Sequence, residues 1–151
     1  MQHPHEKGSG GPQGHPGGHP QTTAGPAGAP PLRLIAWEVT RACNLACKHC
    51  RAEACLDPWP GEFDTKDAKA LIDTFPETGS PIIIFTGGEP LLRPDIFDLV
   101  RHARGKDLRC VMAPNGTLIT PENAREIKAS GIARCSISID APNAADHDAF
   151  R

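Results

Sequence analysis

Three of the six cysteines of this chain lie close together, in the segment CNLACKHC. Cys43, Cys47 and Cys50 are separated by three residues and then by two. In a reducing compartment, a cysteine cluster this tight predicts a metal or catalytic site before it predicts a disulfide framework. The residue types and their spacing therefore indicate a metal or redox centre on this segment.

Three kinds of centre are compatible with thiols at this spacing. Zinc takes four ligands, usually from two separated pairs, so Cys55 or His49 would have to complete an unusually short site. A thioredoxin-like C-x-x-C pair would use Cys47 and Cys50 and leave Cys43 without a role. A cubane iron–sulfur cluster is normally held by four thiolates. With only three, one iron keeps an open position at which chemistry can occur.

A second stretch with chemical character is GGEP, which runs from Gly87 to Pro90. Gly87 and Gly88 have no side chains, so the backbone can come close to a ligand, and Glu89 offers a carboxylate to a cationic group. By itself the motif is also compatible with a simple turn between a strand and a helix. Its place one β-α unit after the cysteines favours a shared site.

The elements that must position these residues follow from hydrophobic periodicity and end signals. Strands are predicted at residues 32–40, 81–86, 108–113 and 134–140, and helices at 62–75, 94–105, 120–131 and from 141 onward. The third helix is the most clearly marked, because Thr120 is placed as its N-cap, Pro121 at its first position and Gly131 after its end. Cys110 and Cys135 fall within strands and are predicted to be small core residues.

Strands that alternate with helices predict an α/β fold with a parallel sheet and right-handed crossovers, either doubly wound or bent into a barrel. The fourth strand favours the barrel, because its apolar residues alternate with Ser136, Ser138 and Asp140 and a polar face suits a strand that lines a wet cavity. In such barrels the reactive residues gather at the C-terminal ends of the strands. The cysteines, GGEP and Asp140 all fall there.

Composition limits the function classes. A formal charge of -2 and a pI near 6.4 predict no nucleic-acid or membrane partner, since both require a basic surface. The sequence has no apolar run of membrane-spanning length and no signal-peptide pattern, which predicts a cytoplasmic protein. Residues 1–31 are nearly half Gly and Pro, which predicts a disordered tail before a domain at 32–151. The tail carries four histidines that are candidates for weak metal binding.

CNLACKHC resembles the C-x3-C-x2-C signature of the radical S-adenosylmethionine (SAM) enzymes, with His49 at a position that is usually aromatic. Together with GGEP, the resemblance covers residues 32–151 and implies a partial, TIM-like (β/α)6 barrel with about four βα units. It implies that three residues bind a 4Fe-4S cluster whose fourth iron SAM chelates: Cys43, Cys47 and Cys50. It further implies SAM contacts by seven residues: Gly87, Gly88, Glu89, Pro90, Asn115, Ser138 and Asp140. Asn115 is equally compatible with a turn before Gly116.

The resemblance also implies a reaction. One electron from a low-potential donor such as flavodoxin or ferredoxin cleaves SAM to methionine and a 5′-deoxyadenosyl radical, which abstracts hydrogen from a substrate. Residues 36–54 are most similar to the subgroup that modifies tetrapyrrole side chains, which includes the heme b synthases that decarboxylate two propionates of iron-coproporphyrin III and their heme d1 relatives. A peptide-modifying maturase and a non-enzymatic metal-binding module remain alternatives.

The barrel of this family commonly has six β-α units, whereas four strands are predicted here. We therefore expect the chain to be the N-terminal part of a longer enzyme, or a partial barrel completed by another chain. An exposed strand edge invites aggregation. Hence we expect the chain alone to be poorly soluble or inactive on substrate.

Overall fold

The computed structural model describes residues 29–151, so the predicted tail lies almost entirely outside the described residues. Four strands alternate with four helices. The strands are β1 (Leu34–Glu38), β2 (Ile82–Thr86), β3 (Cys110–Met112) and β4 (Arg134–Cys135). The helices are α1 (Thr65–Thr74), α2 (Ile96–Arg104), α3 (Pro121–Ser130) and α4 (Ala144–Phe150), and short 3-10 helices span Phe75–Thr78 and Pro90–Leu92.

All strand pairs are parallel, and the strands lie in the order in which they occur along the chain. Helix α1 packs against α2, and α2 packs against α3. A doubly wound sheet reverses its strand order at a switch point, whereas a barrel keeps the order of the chain. The architecture therefore confirms the predicted partial barrel. Among residues 29–151, no helix combines the length and the apolar character needed to cross a bilayer.

The predicted ends of α3 are confirmed, whereas α1, predicted from residue 62, begins at Thr65. The Asp64 side chain accepts a hydrogen bond from the N–H of Asp67 at the start of α1. At the start of α3, Thr120 caps the N–H of Asn123, and Gly131 ends that helix with a φ of 92°. Each cap satisfies a backbone group that has no partner within its helix, which is why these residue types mark the ends.

The core lies between the sheet and helices α1 to α3. Ile83, Phe85 and Met112 point into it and are fully buried. Cys110 belongs to this core, as predicted, and its burial raises the pKa of the thiol to about 11, so it stays protonated and unreactive. Cys135 packs against the same core and is partly exposed.

The prediction of a fourth strand over residues 134–140 is wrong beyond Cys135. The N–H of Ser136 donates to the carbonyl of Met112, and the pairing then stops because Pro114 has no N–H to donate. Ile137 and Ile139, two of the apolar residues that alternate with Ser136, Ser138 and Asp140 in the sequence, are 48% and 77% exposed. Polar and apolar residues alternate over residues 134–140, but this alternation does not extend β4 beyond Cys135.

Candidate functional site

The three cysteines of the predicted cluster lie on the loop that follows β1, here called the cysteine loop (residues 39–55). All three line one cavity at the C-terminal edge of the sheet, with a volume of about 390 Å³. This volume is within the range of small-molecule sites. Four further predicted residues line the same cavity: Gly87, Gly88, Asn115 and Ser138. The remaining three predicted residues do not line it: Glu89, Pro90 and Asp140.

The glycines of GGEP lie directly against the cysteine loop. The N–H of Gly88 donates to the carbonyl of Thr40 at 2.8 Å, and the N–H of Glu89 donates to the carbonyl of Ala42 at 2.7 Å. A Cβ placed on Gly87 would come within 2.3 Å of the Thr40 oxygen, and one on Gly88 would come within 2.3 Å of the Ala42 oxygen. Gly87 and Gly88 must therefore lack side chains for a second reason: their backbone lies in close contact with the cysteine loop.

Contacts of Glu62 and Trp59 also hold the cysteine loop in place. Glu62 accepts hydrogen bonds from the Thr40 hydroxyl at 3.2 Å and from the backbone N–H groups of Arg41 at 2.7 Å and Trp59 at 2.8 Å. The Arg41 guanidinium lies 4.3 Å from the centre of the Trp59 ring, a favourable cation–π contact. These contacts of Glu62 could not be predicted from the sequence, because Thr40 and Arg41 lie more than 20 residues away and a single acid produces no spacing signal.

Glu89, predicted to contact a cationic group, is fully buried. One carboxylate oxygen accepts from the N–H of Leu91 at 3.0 Å and the other from the N–H of Asn115 at 2.6 Å. Burial raises the pKa of Glu89, and the two N–H groups partly oppose that shift. Glu89 therefore links the ends of β2 and β3, while Pro90 begins the 3-10 helix that follows. A contact between Glu89 and a cationic ligand group stays a prediction.

N–H groups are directed at two of the three cluster sulfurs. The N–H of Leu45 lies 3.4 Å from Sγ of Cys43, and the side-chain amide of Asn115 lies 3.8 Å from the same atom. The N–H of Ala54 lies 3.5 Å from Sγ of Cys50. N–H groups directed at cysteine sulfurs are typical of the surroundings of iron–sulfur clusters, where they stabilise the metal-bound sulfurs. The donor set therefore fits an iron–sulfur cluster.

Across residues 29–151, no three His, Cys, Asp or Glu side chains converge closely enough to hold a single metal ion. A cubane cluster binds each thiolate through a different iron, so its three cysteines need not meet at one point. Cys55, the other candidate ligand, is exposed and lies outside the cavity lining, although its carbonyl accepts the N–H of Cys43 at 2.7 Å.

The two candidates on the predicted fourth strand separate. Ser138 lines the cavity, whereas Asp140 lies beside it and accepts a hydrogen bond from the guanidinium of Arg151. That hydrogen bond holds the pKa of Asp140 below its ordinary value of 3.8. Arg151 itself lines the cavity, a position that the sequence does not predict because an isolated arginine belongs to no motif. The role of Asp140 toward a ligand stays a prediction.

The end of α4 packs on the cysteine loop. The ring of His49 stacks on Phe150, with centres 4.3 Å apart and planes 10° apart. The N–H of Lys48 donates to the carbonyl of Phe150 at 3.0 Å. These two contacts place Arg151 at the cavity.

Comparison with known proteins agrees with this geometry. Residues 37–151 match the family model of the Radical SAM superfamily. The AdoMet-dependent heme synthase of Nitratidesulfovibrio vulgaris is 66% identical over 139 residues, which are 89% of this chain and 38% of the relative. The mycofactocin maturase MftC of Mycobacterium tuberculosis (strain H37Rv) is 37% identical over 117 residues, which are 78% of this chain and 30% of that protein.

A solved structure shares the fold. BtrN, in complex with AdoMet (SAM) and 2-DOIA, superimposes with a TM-score of 0.62 at 21% identity, over 79% of this chain and 55% of BtrN. At this identity the likeness concerns the fold alone. The chain spans less than two fifths of the length of the heme synthase that it matches.

Proposed function

Because this chain belongs to the radical SAM superfamily, we propose that Cys43, Cys47 and Cys50 bind a 4Fe-4S cluster and that SAM binds beside it. Enzymes of this superfamily use both cofactors. When bound, they supply the electron and the carbon-centred radical that removes hydrogen from a substrate C–H bond. The observation that carries the proposal is the one cavity that the three thiols share with Gly87 and Gly88.

The residues around the cavity are assigned to the two ends of SAM. The GGEP segment, Gly87 to Pro90, receives the amino group through the backbone of its glycines, which line the cavity, while the buried Glu89 carboxylate holds the N–H groups of Leu91 and Asn115. Ser138 and Asp140 lie on the side of the ribose and methionine. Arg151 offers a guanidinium to the carboxylate, since its planar fork matches that group, and its bond to Asp140 orients it.

The substrate we propose is a tetrapyrrole of heme synthesis, iron-coproporphyrin III. The identity of 66% to a heme synthase supports this choice, and a low-potential donor such as flavodoxin or ferredoxin in the cytoplasm would supply the electrons. In the proposed reaction each of two propionates would give a hydrogen atom to a 5′-deoxyadenosyl radical and one electron to the cluster that SAM cleavage leaves oxidised, and would release CO2 to become a vinyl group. We further propose that residues 32–151 form the SAM-binding part of the enzyme, behind a tail at 1–31.

Anaerobic reconstitution with iron and sulfide tests the cluster. We expect wild type to bind four irons and to absorb broadly in the visible range, with a spectrum that SAM changes. Cys43→Ser, Cys47→Ser and Cys50→Ser should each lose most of the iron. Cys55→Ser is the matched control, because Cys55 lies on the same loop outside the cavity and should leave the iron content unchanged. A colourless protein that holds only zinc would contradict the proposal.

Reduction of the loaded protein separates an enzyme from a metal-binding module. We expect dithionite to release methionine and 5′-deoxyadenosine from SAM, in amounts comparable to the cluster. A sensor or storage protein would produce neither compound. Their absence from a fully loaded sample would leave only the metal-binding alternative.

A chimera tests the substrate and the runner-up, a peptide maturase, which the 37% identity to MftC keeps open. Residues 32–151 would replace the matching segment of the N. vulgaris heme synthase and, as the control, of MftC. We expect the first chimera to convert iron-coproporphyrin III to the divinyl product in mass spectra, and the second to lose activity on its peptide. The reverse pattern would favour the peptide maturase.

A further inference from the structure

The side chain of Asn115 has one possible orientation. Its Oδ1 accepts from the backbone N–H of Thr117 at 2.9 Å, and a backbone N–H can only donate. The amide nitrogen therefore faces the other way, toward Oδ1 of Asn44 at 2.9 Å and Sγ of Cys43 at 3.8 Å. The Thr117 hydroxyl closes the network, since it donates to Asn115 Oδ1 and accepts from the amide of Asn44, both at 2.8 Å.

Both partners of the contact between Asn115 and Cys43 are held in place by other bonds. The backbone N–H of Asn115 donates to the buried carboxylate of Glu89 at 2.6 Å. Cys43 is only 7% exposed, and its own N–H donates to the carbonyl of Cys55. A hydrogen-bond donor supported in this way keeps its position when the group it contacts changes charge.

The three sulfurs differ in how many N–H donors they receive. Among the described residues, Cys43 receives two, from Leu45 and Asn115, Cys50 receives one from Ala54, and Cys47 receives none. Of these three donors, only Asn115 is a side chain that can be replaced without changing the backbone. It is also the donor that connects the cysteine loop to the end of β3.

We propose that Asn115 is a positioning residue of the cluster: its amide holds the Cys43 sulfur and raises the reduction potential of the metal centre. Reduction adds negative charge that spreads onto the thiolates, and an N–H donor stabilises the more negative state. Hydrogen bonds to the sulfurs are a recognised determinant of cluster potentials. The inference rests on the proposed function, because it requires a cluster on Cys43, and it adds a role for Asn115 that SAM binding does not include.

The test is a redox titration of the reconstituted chain, without SAM, followed by EPR. Asn115→Ala removes the amide but keeps the backbone N–H that Glu89 holds. We expect its midpoint to move to a more negative potential by about 59 mV, the one-electron equivalent of a tenfold change in the equilibrium. Asn123→Ala is the matched control, because its amide donates to the Leu118 carbonyl, outside the cavity, and its midpoint should equal that of wild type.

Asn115→Asp is a second variant that distinguishes the loss of the hydrogen-bond donor from a folding defect. Aspartate keeps the shape and the oxygen that Thr117 requires, but it replaces the donor by a negatively charged acceptor. We expect a larger negative shift than for Asn115→Ala, with the four-iron content retained. Wild-type midpoints in both loaded variants would overturn the inference and leave the proposed function standing. Failure of the wild-type chain to take up a cluster would instead overturn the proposed function, and the inference with it.

Discussion

The two outer strands of the sheet, β1 and β4, end in different ways. β1 pairs with β2 over five residues, and the backbone that follows it is bonded to Gly88, Glu89 and Glu62. β4 pairs with β3 over two residues, and the isoleucines that follow it are exposed. The segment after a strand is therefore held in place by hydrogen bonds to its backbone. Apolar side chains alone do not lengthen the strand.

Gly88→Ala is expected to disrupt the segment after β1 more severely than any other substitution considered. The new Cβ would lie 2.3 Å from the carbonyl oxygens of both Arg41 and Ala42, so the cysteine loop would have to move. We expect the free energy of unfolding to fall by about 3 kcal/mol or more, with loss of iron binding. Gly105→Ala is the control, because Gly105 has an ordinary helical φ of -63° and its Cβ would lie 3.3 Å from the nearest atom, the His102 oxygen, a contact that a small shift relieves. A well-folded Gly88→Ala protein that binds iron normally would show that the loop tolerates displacement.

Arg93→Met tests the buried polar contacts that support the same end. Arg93 is 8% exposed, and its guanidinium donates to the carbonyls of Val39 and Phe63 and pairs with Asp95. Loss of these charged hydrogen bonds is expected to cost roughly 2–3 kcal/mol in urea unfolding.

The matched control for Arg93 is Arg101→Met. Arg101 pairs with Asp98 and Glu126 on the surface, where such pairs contribute at most about 1 kcal/mol. Equal costs for the two arginines would argue against a special role for buried polar contacts at the end of β1.

Ile139→Ser tests the segment after β4 and is expected to have the smallest effect on the free energy of unfolding. The side chain of Ile139 is 77% exposed, so its replacement should change the free energy of unfolding by no more than about 0.5 kcal/mol. Ile83→Ala, at a fully buried position on β2, should cost about 2–5 kcal/mol in the same assay. A cost for Ile139→Ser close to that of Ile83→Ala would mean that the residues after β4 are covered in solution.

Much of the fold could be predicted because its signals are local. Thr120 and Gly131 mark the ends of α3 by their own hydrogen bonds and backbone angles, and the apolar spacing of α2 specifies its buried face. The extent of β4 could not be predicted, because it depends on its partner strand β3, which ends at Met112, two residues before Pro114. The same limit applies to Arg151, which reaches the cavity only through the packing of α4 on the cysteine loop.

The sequence by itself determined the family of the protein and, with it, the cofactors that this family uses. The spacing of Cys43, Cys47 and Cys50 and the GGEP motif sufficed to place the chain in its family, because ligand type and spacing are properties of the chain. Only the tertiary structure decided which groups support these residues. Glu89 is buried and bonded to Asn115, and Asn115 turns its amide to Cys43 because Thr117 occupies its oxygen. Such contacts join segments far apart along the chain, and they exist only once the strands have packed side by side.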